Sequence, residues 1–233
     1  MPAGSPAYTK RSMVMKKTVL TLLAISLISL SSHAFATNYY VSTSGNDSNP
    51  GTTNSPWRTI QKAANKMVAG DTVAVYAGTY AESISETTSG TSANRIVYTT
   101  TGGPVYIDKF SITGAHVTVD GFTIQNKSGV GWDGLFFLNN DYIILQNCIV
   151  RNSSGGSGAI TVYTSADHCI VDHCEVDNWS RDGAYSVFVS GTYNTISNNT
   201  FHGSTGSDVI QAFGDHHTIS GNYCYDWYQP AAS

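Results

Sequence analysis

The sequence predicts an all-β chain folded as a parallel β-helix, a solenoid of stacked coils with three short strands each. Three observations predict this fold. Charged residues make up 12% of the 233 residues, about half the usual ~25%. This suits in-register stacking, because like charges about 4.8 Å apart would repel each other. Tyr (14) and Gly (22) are frequent, as expected of strands and turns. A twelve-residue segment recurs every 23–26 residues, a spacing typical of solenoids.

The repeat consists of five segments that align without gaps, beginning at residues 115, 141, 167, 192 and 215. Apolar residues at the fifth and tenth places share one face. The seventh place holds Gly, Asn or His, which tolerate the left-handed backbone of a sharp bend. A third apolar stretch separates successive segments, at 135–138, 159–163, 186–189 and 209–213. Three strands in so long a fixed period favour the β-helix over a β-sandwich, whose hairpin turns span two to five residues.

The N-terminus has the layout of a secretory signal peptide. Lys16 and Lys17 precede an apolar run from Val19 to Leu30, and Ala34-Phe35-Ala36 supplies a cleavage site. We therefore divide the chain into a leader and signal peptide (1–36) and a parallel β-helix domain (37–233), and predict a secreted or periplasmic protein. The apolar run is too short to span a membrane, so no membrane span is expected in the mature chain.

Charge also limits the function. Residues 1–36 hold four of the 12 basic residues and none of the 16 acidic ones, so the mature chain has a formal net charge of −8. A nucleic-acid-binding protein would need clustered Lys and Arg, so a nucleic-acid partner is not expected.

A helix is predicted at the start of the mature chain. Ser55 and Pro56 supply an N-cap and a first-turn proline, and Gly70 a stop. One face of this helix is apolar: Trp57, Ile60, Ala64 and Met67. A solenoid needs its open end covered, so we predict an N-terminal capping α-helix, followed by less regular strands at 71–76, 95–100 and 104–108.

Two segments carry a family resemblance: YYVSTSGNDSNPGT (39–52) and SPWRTIQKAANKMVAGDTVAVYAGTY (55–80). They resemble secreted right-handed β-helix proteins of the pectate-lyase-like superfamily, most closely the family nine pectate lyases and their uncharacterised relatives. The resemblance implies cleavage of an acidic, pectate-like polysaccharide by β-elimination with Ca²⁺ as cofactor. Carboxylates hold the cation that neutralises the uronate, and a Lys or Arg takes the proton α to it. The family's catalytic lysine matches no residue of this sequence, and its aspartate cluster has no tight counterpart.

Two arginines remain in the connections of the regular coils, Arg151 and Arg181. Arg181 and Asp182 precede the strand at 186–189, and Asp208 precedes the matching strand one coil later. We predict Arg181 as the catalytic residue and Asp182 and Asp208 as metal ligands. The alternative is a solvated turn.

Two columns of aromatic residues are also expected. Counting back from the next segment, one column contains Phe137, Tyr163, Phe188 and Gln211. If it faces outward, Tyr163, Phe188 and Gln211 bind substrate by stacking on sugars; if inward, it is core packing. The second column occupies the second place of each segment: His116, Tyr142, His168, Tyr193 and His216. This column could bind a metal or a sugar chain. Alternate histidines would be about 9–10 Å apart, too far to share a metal, so aromatic stacking is predicted.

The cysteines and the C-terminus leave alternatives open. Cys148 and Cys174 share the eighth place, which is compatible with a disulfide or with a buried thiol ladder. The sequence ends soon after the fifth segment without a capping element, so a truncated C-terminus or one covered by a partner is expected. A non-catalytic carbohydrate-binding or surface β-helix protein and an inactive truncated lyase are therefore alternatives to the lyase.

Overall fold

The computed structural model describes residues 36–180, 185–205 and 208–226. Within these ranges the chain forms a right-handed parallel β-helix of about six coils, as the sequence predicts. Its elements in chain order are β1 (Asn38–Val41), α1 (Ile60–Ala64), β2 (Thr72–Thr79), β3 (Ser83–Glu86), β4 (Ile96–Ile107), β5 (Lys109–Ile112), β6 (Val117–Asp120), β7 (Phe122–Gln125), β8 (Phe136–Leu138), β9 (Ile144–Gln146), β10 (Ile149–Ser154), β11 (Gly158–Val162), β12 (Ile170–Asp172), β13 (Glu175–Ser180), β14 (Tyr185–Val189), β15 (Thr195–Ser197), β16 (Thr200–His202), β17 (Asp208–Ala212), β18 (Thr218–Ser220) and β19 (Tyr223–Tyr225).

The regular coils present three parallel faces. Face 1 contains β6, β9, β12, β15 and β18; face 2 contains β7, β10, β13, β16 and β19; face 3 contains β3, β5, β8, β11, β14 and β17. Strand β4 is continuous, whereas the sequence suggested two strands. Its start pairs with β6 and its end with β7. Faces 1 and 2 therefore form one 13-stranded sheet, and face 3 forms a second sheet of six strands.

The interior is filled by the residues that the repeat places inside. In the first four segments the fifth and tenth places are all buried: Val119, Leu145, Val171, Ile196, Ile124, Val150, Val176 and Phe201. Burial of such columns is the main favourable contribution to folding. The prediction of the inward places is confirmed for these four segments, whereas Ile219 and Cys224 of the fifth segment are exposed.

Each regular coil turns at left-handed residues. The bend between faces 1 and 2 has φ from 51° to 87°, at Gly121, Asn147, His173, Asn198 and Gly221. These are the residues of the seventh place, so that prediction is confirmed. A second left-handed position, with φ from 49° to 63°, follows face 2 at Asn126, Asn152, Asn178, Gly203 and Asp226. Gly, Asn and Asp adopt this conformation at the lowest cost.

The helix near the N-terminus is shorter than predicted. Helix α1 has five residues, and its N-cap is Thr59, whose side chain accepts from the Lys62 N–H at 3.2 Å. The prediction of an N-cap at Ser55 is wrong, because Ser55 forms a bridge with Thr52 and the chain stays extended through Trp57. The predicted apolar face is buried. The capping role of the helix stays a prediction. In the described ranges, no helix is long and apolar enough to cross a membrane.

All four cysteines are free thiols, so the alternative of a thiol ladder is confirmed for Cys148 and Cys174. Burial raises the pKa of Cys148 well above its usual range, and burial raises the pKa of Cys169 to about 12. Thiolates are the reactive form of cysteine, so these buried thiols are packing residues.

Asparagines replace two of these cysteines in the next coil. The Asn194 Oδ1 accepts from the Cys169 N–H at 2.7 Å, and its Nδ2 donates to the carbonyls of Ala166 and Ser190 at 2.8 Å. Asn199 bonds the Cys174 N–H in the same way at 2.7 Å. Both side chains are buried, and buried polar groups of this kind require such partners.

A buried carboxyl group lies in the N-terminal coils. Glu86 is fully buried, accepts from the Thr88 N–H at 2.5 Å and receives a hydrogen bond from the Tyr98 hydroxyl. Burial raises the pKa of Glu86, although the hydrogen bonds from Tyr98 and Thr88 act in the opposite direction. The protonated form is therefore favoured by folding.

We predict that Glu86→Gln changes the pH dependence of stability. Since folding raises the pKa of Glu86, its contribution to the free energy of unfolding is fully present below about pH 4.5. That contribution is lost as the pH rises through the folded-state pKa. Wild type should therefore lose stability relative to Glu86→Gln over this range, measured by urea unfolding at a series of pH values. Parallel pH profiles of the two proteins would contradict this.

Asn194→Ala should lower the free energy of unfolding by about 2–4 kcal/mol, because it leaves a buried N–H and two buried carbonyls without partners. Thermal and urea unfolding followed by circular dichroism would measure the loss. Asn94→Ala is the matched control, since Asn94 is exposed, and it should change stability by about 0.5 kcal/mol or less. Equal effects of the two substitutions would contradict the structural role of Asn194.

Candidate functional site

Face 2 brings two carboxylates and an imidazole together. Glu175 and Asp177 project from the outer side of β13, and β16 pairs so that His202 lies opposite Asp177. The His202 Nε2 is 3.2 Å from the Glu175 Oε1, and its Nδ1 is 3.3 Å from the Asp177 Oδ1. The Tyr225 ring stacks on His202, with centroids 4.8 Å apart and planes 4° apart, and this orients the imidazole. We call Glu175, Asp177 and His202 the face 2 cluster.

Arg151 adds a positive charge to this cluster. It lies on β10, opposite Asp177, and not in a connection as the sequence suggested. Its Nη2 is 3.9 Å from the Glu175 Oε1. Its Nε is buried and has no hydrogen-bond partner among the described residues. The guanidinium therefore keeps unused donors beside the two carboxylates.

A polar groove runs beside the cluster, along the corner where face 2 ends. It has a volume of about 260 Å³ and is lined by Asn126, Lys127, Ser128, Asn152, Ser153, Ser154, Asn178 and Ser180. The Asn178 Nδ2 donates to the Asn152 Oδ1 at 2.9 Å, which aligns the amides of successive coils. A second hollow of about 220 Å³ shares Asn126 and Lys127 with the groove, and Lys127 forms an ion pair with Asp108 there.

The face 2 cluster can hold a cation. Its three ligand atoms lie within 4.8 Å of one another. The carboxylate oxygens of Glu175 and Asp177 suit Ca²⁺, whereas an imidazole nitrogen suits transition metals. Ca²⁺ thus fits the two carboxylates of the cluster.

The residues predicted as the site are only partly described. Arg181 and Asp182 lie outside the described residues. Asp208 is exposed at the start of β17, on face 3, where it pairs with Tyr185. The joint site of Arg181, Asp182 and Asp208 therefore stays a prediction; of the three, the described Asp208 lies on a different face from the cluster.

The predicted aromatic column of face 3 has a different register. Phe137, Thr161, Phe188 and Gln211 are paired in successive strands, so the placement of Tyr163 in this column is wrong. A turn in which the Ala166 N–H bonds the Tyr163 carbonyl at 2.9 Å lengthens the connection after β11. Counted back from the start of the next segment, the paired residue Thr161 is therefore two positions farther away than Phe137 and Phe188 are in their coils.

The column is on the outer side of its strands, although Phe137 and Thr161 are buried there, at 8% and 1% exposure. Its neighbours along the strands, such as Phe136 and Leu138, form the core, whereas Phe137 and Phe188 lie outside the core cluster. Rings gather there in two groups of three. The first triad is Trp132, Phe137 and Tyr163, with centroids 5.3–5.7 Å apart. The second triad is Tyr185, Phe188 and Phe213, in which Phe188 contacts the other two at 6.2 and 5.6 Å. We call these six residues the aromatic surface.

The second predicted column is a continuous stack of rings. His116, Tyr142, His168, Tyr193 and His216 follow one another with centroid distances of 4.6, 5.0, 5.1 and 4.6 Å and interplanar angles of 3–17°. All five have φ from 54° to 60°, a strained conformation for His and Tyr. The prediction of aromatic stacking is confirmed, because the five rings stack on one another.

The sequence contained a signal for the face 2 cluster that our sequence analysis did not use. The ninth and eleventh places of the repeat have outward parity. The eleventh place reads Gln125, Arg151, Asp177, His202 and Tyr225, and the ninth place includes Glu175. Reading these places down the aligned segments would have collected the cluster and Arg151.

Comparison with known proteins places this geometry in a family. The family described as "Pel9A-like, right handed beta helix region" matches residues 39–233. The chain belongs to this Pel9A-like family. No curated protein matches the sequence significantly.

Three solved structures share the Pel9A-like fold. A rhamnogalacturonan lyase has a TM-score of 0.56 and 16% identity over 81% of this chain. Pectate lyase Pel9A has a TM-score of 0.54 and 14% identity over 75% of this chain. A complex of XylC with xylose has a TM-score of 0.62 and 12% identity over 82% of this chain. The chain spans 62% of the length of each.

We predict that Ca²⁺ raises the midpoint of thermal unfolding of the wild type and not of the double variant Glu175→Gln/Asp177→Asn. A ligand at a hundredfold its Kd stabilises the folded state by about 2.7 kcal/mol. Asp120→Asn is the control, since Asp120 is a face 1 carboxylate. An unchanged shift in the double variant would rule out this cluster as the cation site.

Proposed function

We propose that this chain is a secreted or periplasmic polysaccharide lyase that cleaves an acidic, pectate-like polysaccharide by Ca²⁺-assisted β-elimination. The observation that carries the proposal is the face 2 cluster with Arg151, which places two carboxylates and a cationic side chain beside a polar groove. Membership of the Pel9A-like family supports a lyase-type fold. The predicted signal peptide within residues 1–36 supports export.

Binding would use groups of different chemistry on face 2. The amides and hydroxyls of the groove, such as Asn152, Ser154 and Asn178, can exchange hydrogen bonds with sugar hydroxyls. Arg151 can donate two parallel hydrogen bonds to a uronate carboxylate. Ca²⁺ held by Glu175 and Asp177 would neutralise that carboxylate and so acidify the neighbouring C–H.

The reaction requires a proton acceptor. A base takes the proton α to the uronate carboxylate. The electron pair of that C–H bond then forms a carbon–carbon double bond, and the bond to the leaving glycosidic oxygen breaks. The leaving oxygen then gains a proton. We assign the acceptor to Arg181, which follows β13 directly in the sequence. Arginine is normally protonated, so this role requires a nearby bound cation that favours its neutral form.

A second candidate function is non-catalytic carbohydrate binding. The aromatic surface on face 3 favours it, because exposed rings are the usual apolar partners in recognition and this surface is separate from the face 2 cluster. The chain spans 62% of the length of the three similar solved structures, so the activity of the whole protein is part of the proposal.

The test uses the purified full chain with polygalacturonate, with Ca²⁺ or with a chelator. We expect an ultraviolet-absorbing unsaturated uronate product that the chelator abolishes. Glu175→Gln, Asp177→Asn and Arg181→Ala should each lower the rate about a hundredfold or more, since they remove charge stabilisation or the base. Asp120→Asn should leave the rate unchanged.

One outcome would contradict the lyase, and another would contradict only the assignment of its metal site. No product from chain that is folded by circular dichroism would leave carbohydrate binding as the function. Product formation that is insensitive to the Glu175 and Asp177 substitutions would move the metal site to the predicted pair Asp182 and Asp208.

A further inference from the structure

The aromatic surface of face 3 is exposed to a degree that packing does not explain. Trp132 is 60% exposed and Phe213 is 50% exposed. Tyr163, Tyr185 and Phe188 are half-buried. Phe137 is buried, at 8% exposure, and packs beside Trp132 and Tyr163. None of the six rings belongs to the core cluster. A contiguous exposed apolar patch of this kind marks a binding site more often than chance.

The rings of this surface keep their flat sides available. Within the triads the planes meet at 36–85°. In the His–Tyr stack the planes are within 17° of parallel, so those rings cover each other's faces. A sugar ring binds an aromatic ring through its flat, C–H-bearing side, and the exposed Trp132 and Phe213 present ring surface of this kind to solvent.

The two triads repeat at a regular interval along the solenoid. In one column Phe137 and Phe188 are separated by the small Thr161. In the next, Tyr163 and Phe213 are separated by Ser190; these three follow the paired residues Val162, Val189 and Ala212. Equivalent rings are therefore two strand spacings apart, about 9–10 Å. That distance is comparable to the length of a disaccharide unit in an extended glycan.

The surroundings of the surface are polar and largely neutral. Lys109 and Asp133 form an ion pair beside Trp132. Ser111 pairs with Phe137 at one end of the column, and Gln211 pairs with Phe188 at the other. Asp208 is the exposed charge beside Tyr185. These groups can form hydrogen bonds with sugar hydroxyls. None of these described groups is an unpaired cation that could bind an anionic polymer.

We propose that the aromatic surface is a binding site for a neutral, extended glycan of the β-1,4-linked type. The glycan lies along the solenoid axis and stacks one sugar on each triad, while the intervening sugar spans the gap between the triads, where Thr161 and Ser190 are buried. This site is separate from the face 2 cluster and does not depend on lyase activity.

The test is isothermal titration of the full chain with xylohexaose and with cellohexaose, in chelator so that no cation-dependent step takes part. We expect binding of at least one hexasaccharide and about tenfold weaker binding of the matching disaccharide, which reaches a single triad. Trp132→Ala and Phe213→Ala should each raise the Kd about five- to tenfold. Both side chains are exposed, so the variants should fold.

Tyr193→Ala is the matched control. It removes a ring that is 51% exposed from the His–Tyr stack, and it should leave the Kd unchanged. Three results would overturn the proposal: no binding of either hexasaccharide, equal effects of Tyr193→Ala and Trp132→Ala, or tighter binding of an oligogalacturonate at the same rings. Sedimentation analysis tests whether a second copy of the protein occupies the surface instead. Self-association that Trp132→Ala abolishes would identify the surface as an interface between two copies.

Discussion

Backbone hydrogen bonding between successive coils is the constraint on which the other features of this protein depend. On face 1 the N–H groups of Ile170, Thr195 and Thr218 each bond a carbonyl of the preceding coil at 2.8–2.9 Å. The same ladder runs along face 2. In a parallel ladder each residue lies directly beside its counterpart one strand away. The residues at one place of the repeat therefore form a column along the solenoid. The side chains of each column determine whether it packs in the core or forms part of a surface site.

The interior columns show how strict this constraint is. Columns of Val, Leu and Ile are stable because neighbours of one shape pack closely. Cysteine and asparagine can follow one another at the corners because Asn194 and Asn199 bond the backbone of the coil before them. Glu86 differs from these buried groups because it is ionisable. Tyr98 and Thr88 donate hydrogen bonds to its carboxyl group, and burial favours its protonated form.

On the outside the same stacking assembles sites from residues far apart in sequence. Asp177 and His202 lie 25 residues apart in the chain and opposite each other on face 2. Equivalent positions bring Arg151 to the same carboxylates. On face 3 the columns alternate rings with small side chains. One solenoid thus carries a charged site suited to cation and carboxylate chemistry and, separately, an apolar surface suited to flat sugar faces.

The amino-acid sequence by itself determined the repeat, the inward places and the left-handed bends of the regular coils. These depend on side-chain type at a regular spacing, which is readable without coordinates. It did not determine the start of the helix, since Ser55 and Thr59 are both good caps and the extended pairing of Trp57 decides between them.

Only the tertiary structure decided the register of face 3 and the composition of the candidate site. The turn after Tyr163 lengthens one connection, so counting from the next segment misplaces that ring. Strand periodicity separates the two sides of a strand but not which of them is inward when both are apolar, and so Phe137 and Phe188 were ambiguous. Predicting the face 2 cluster required knowing that β13 and β16 are neighbours, because His202 meets Glu175 and Asp177 across two strands and not along one.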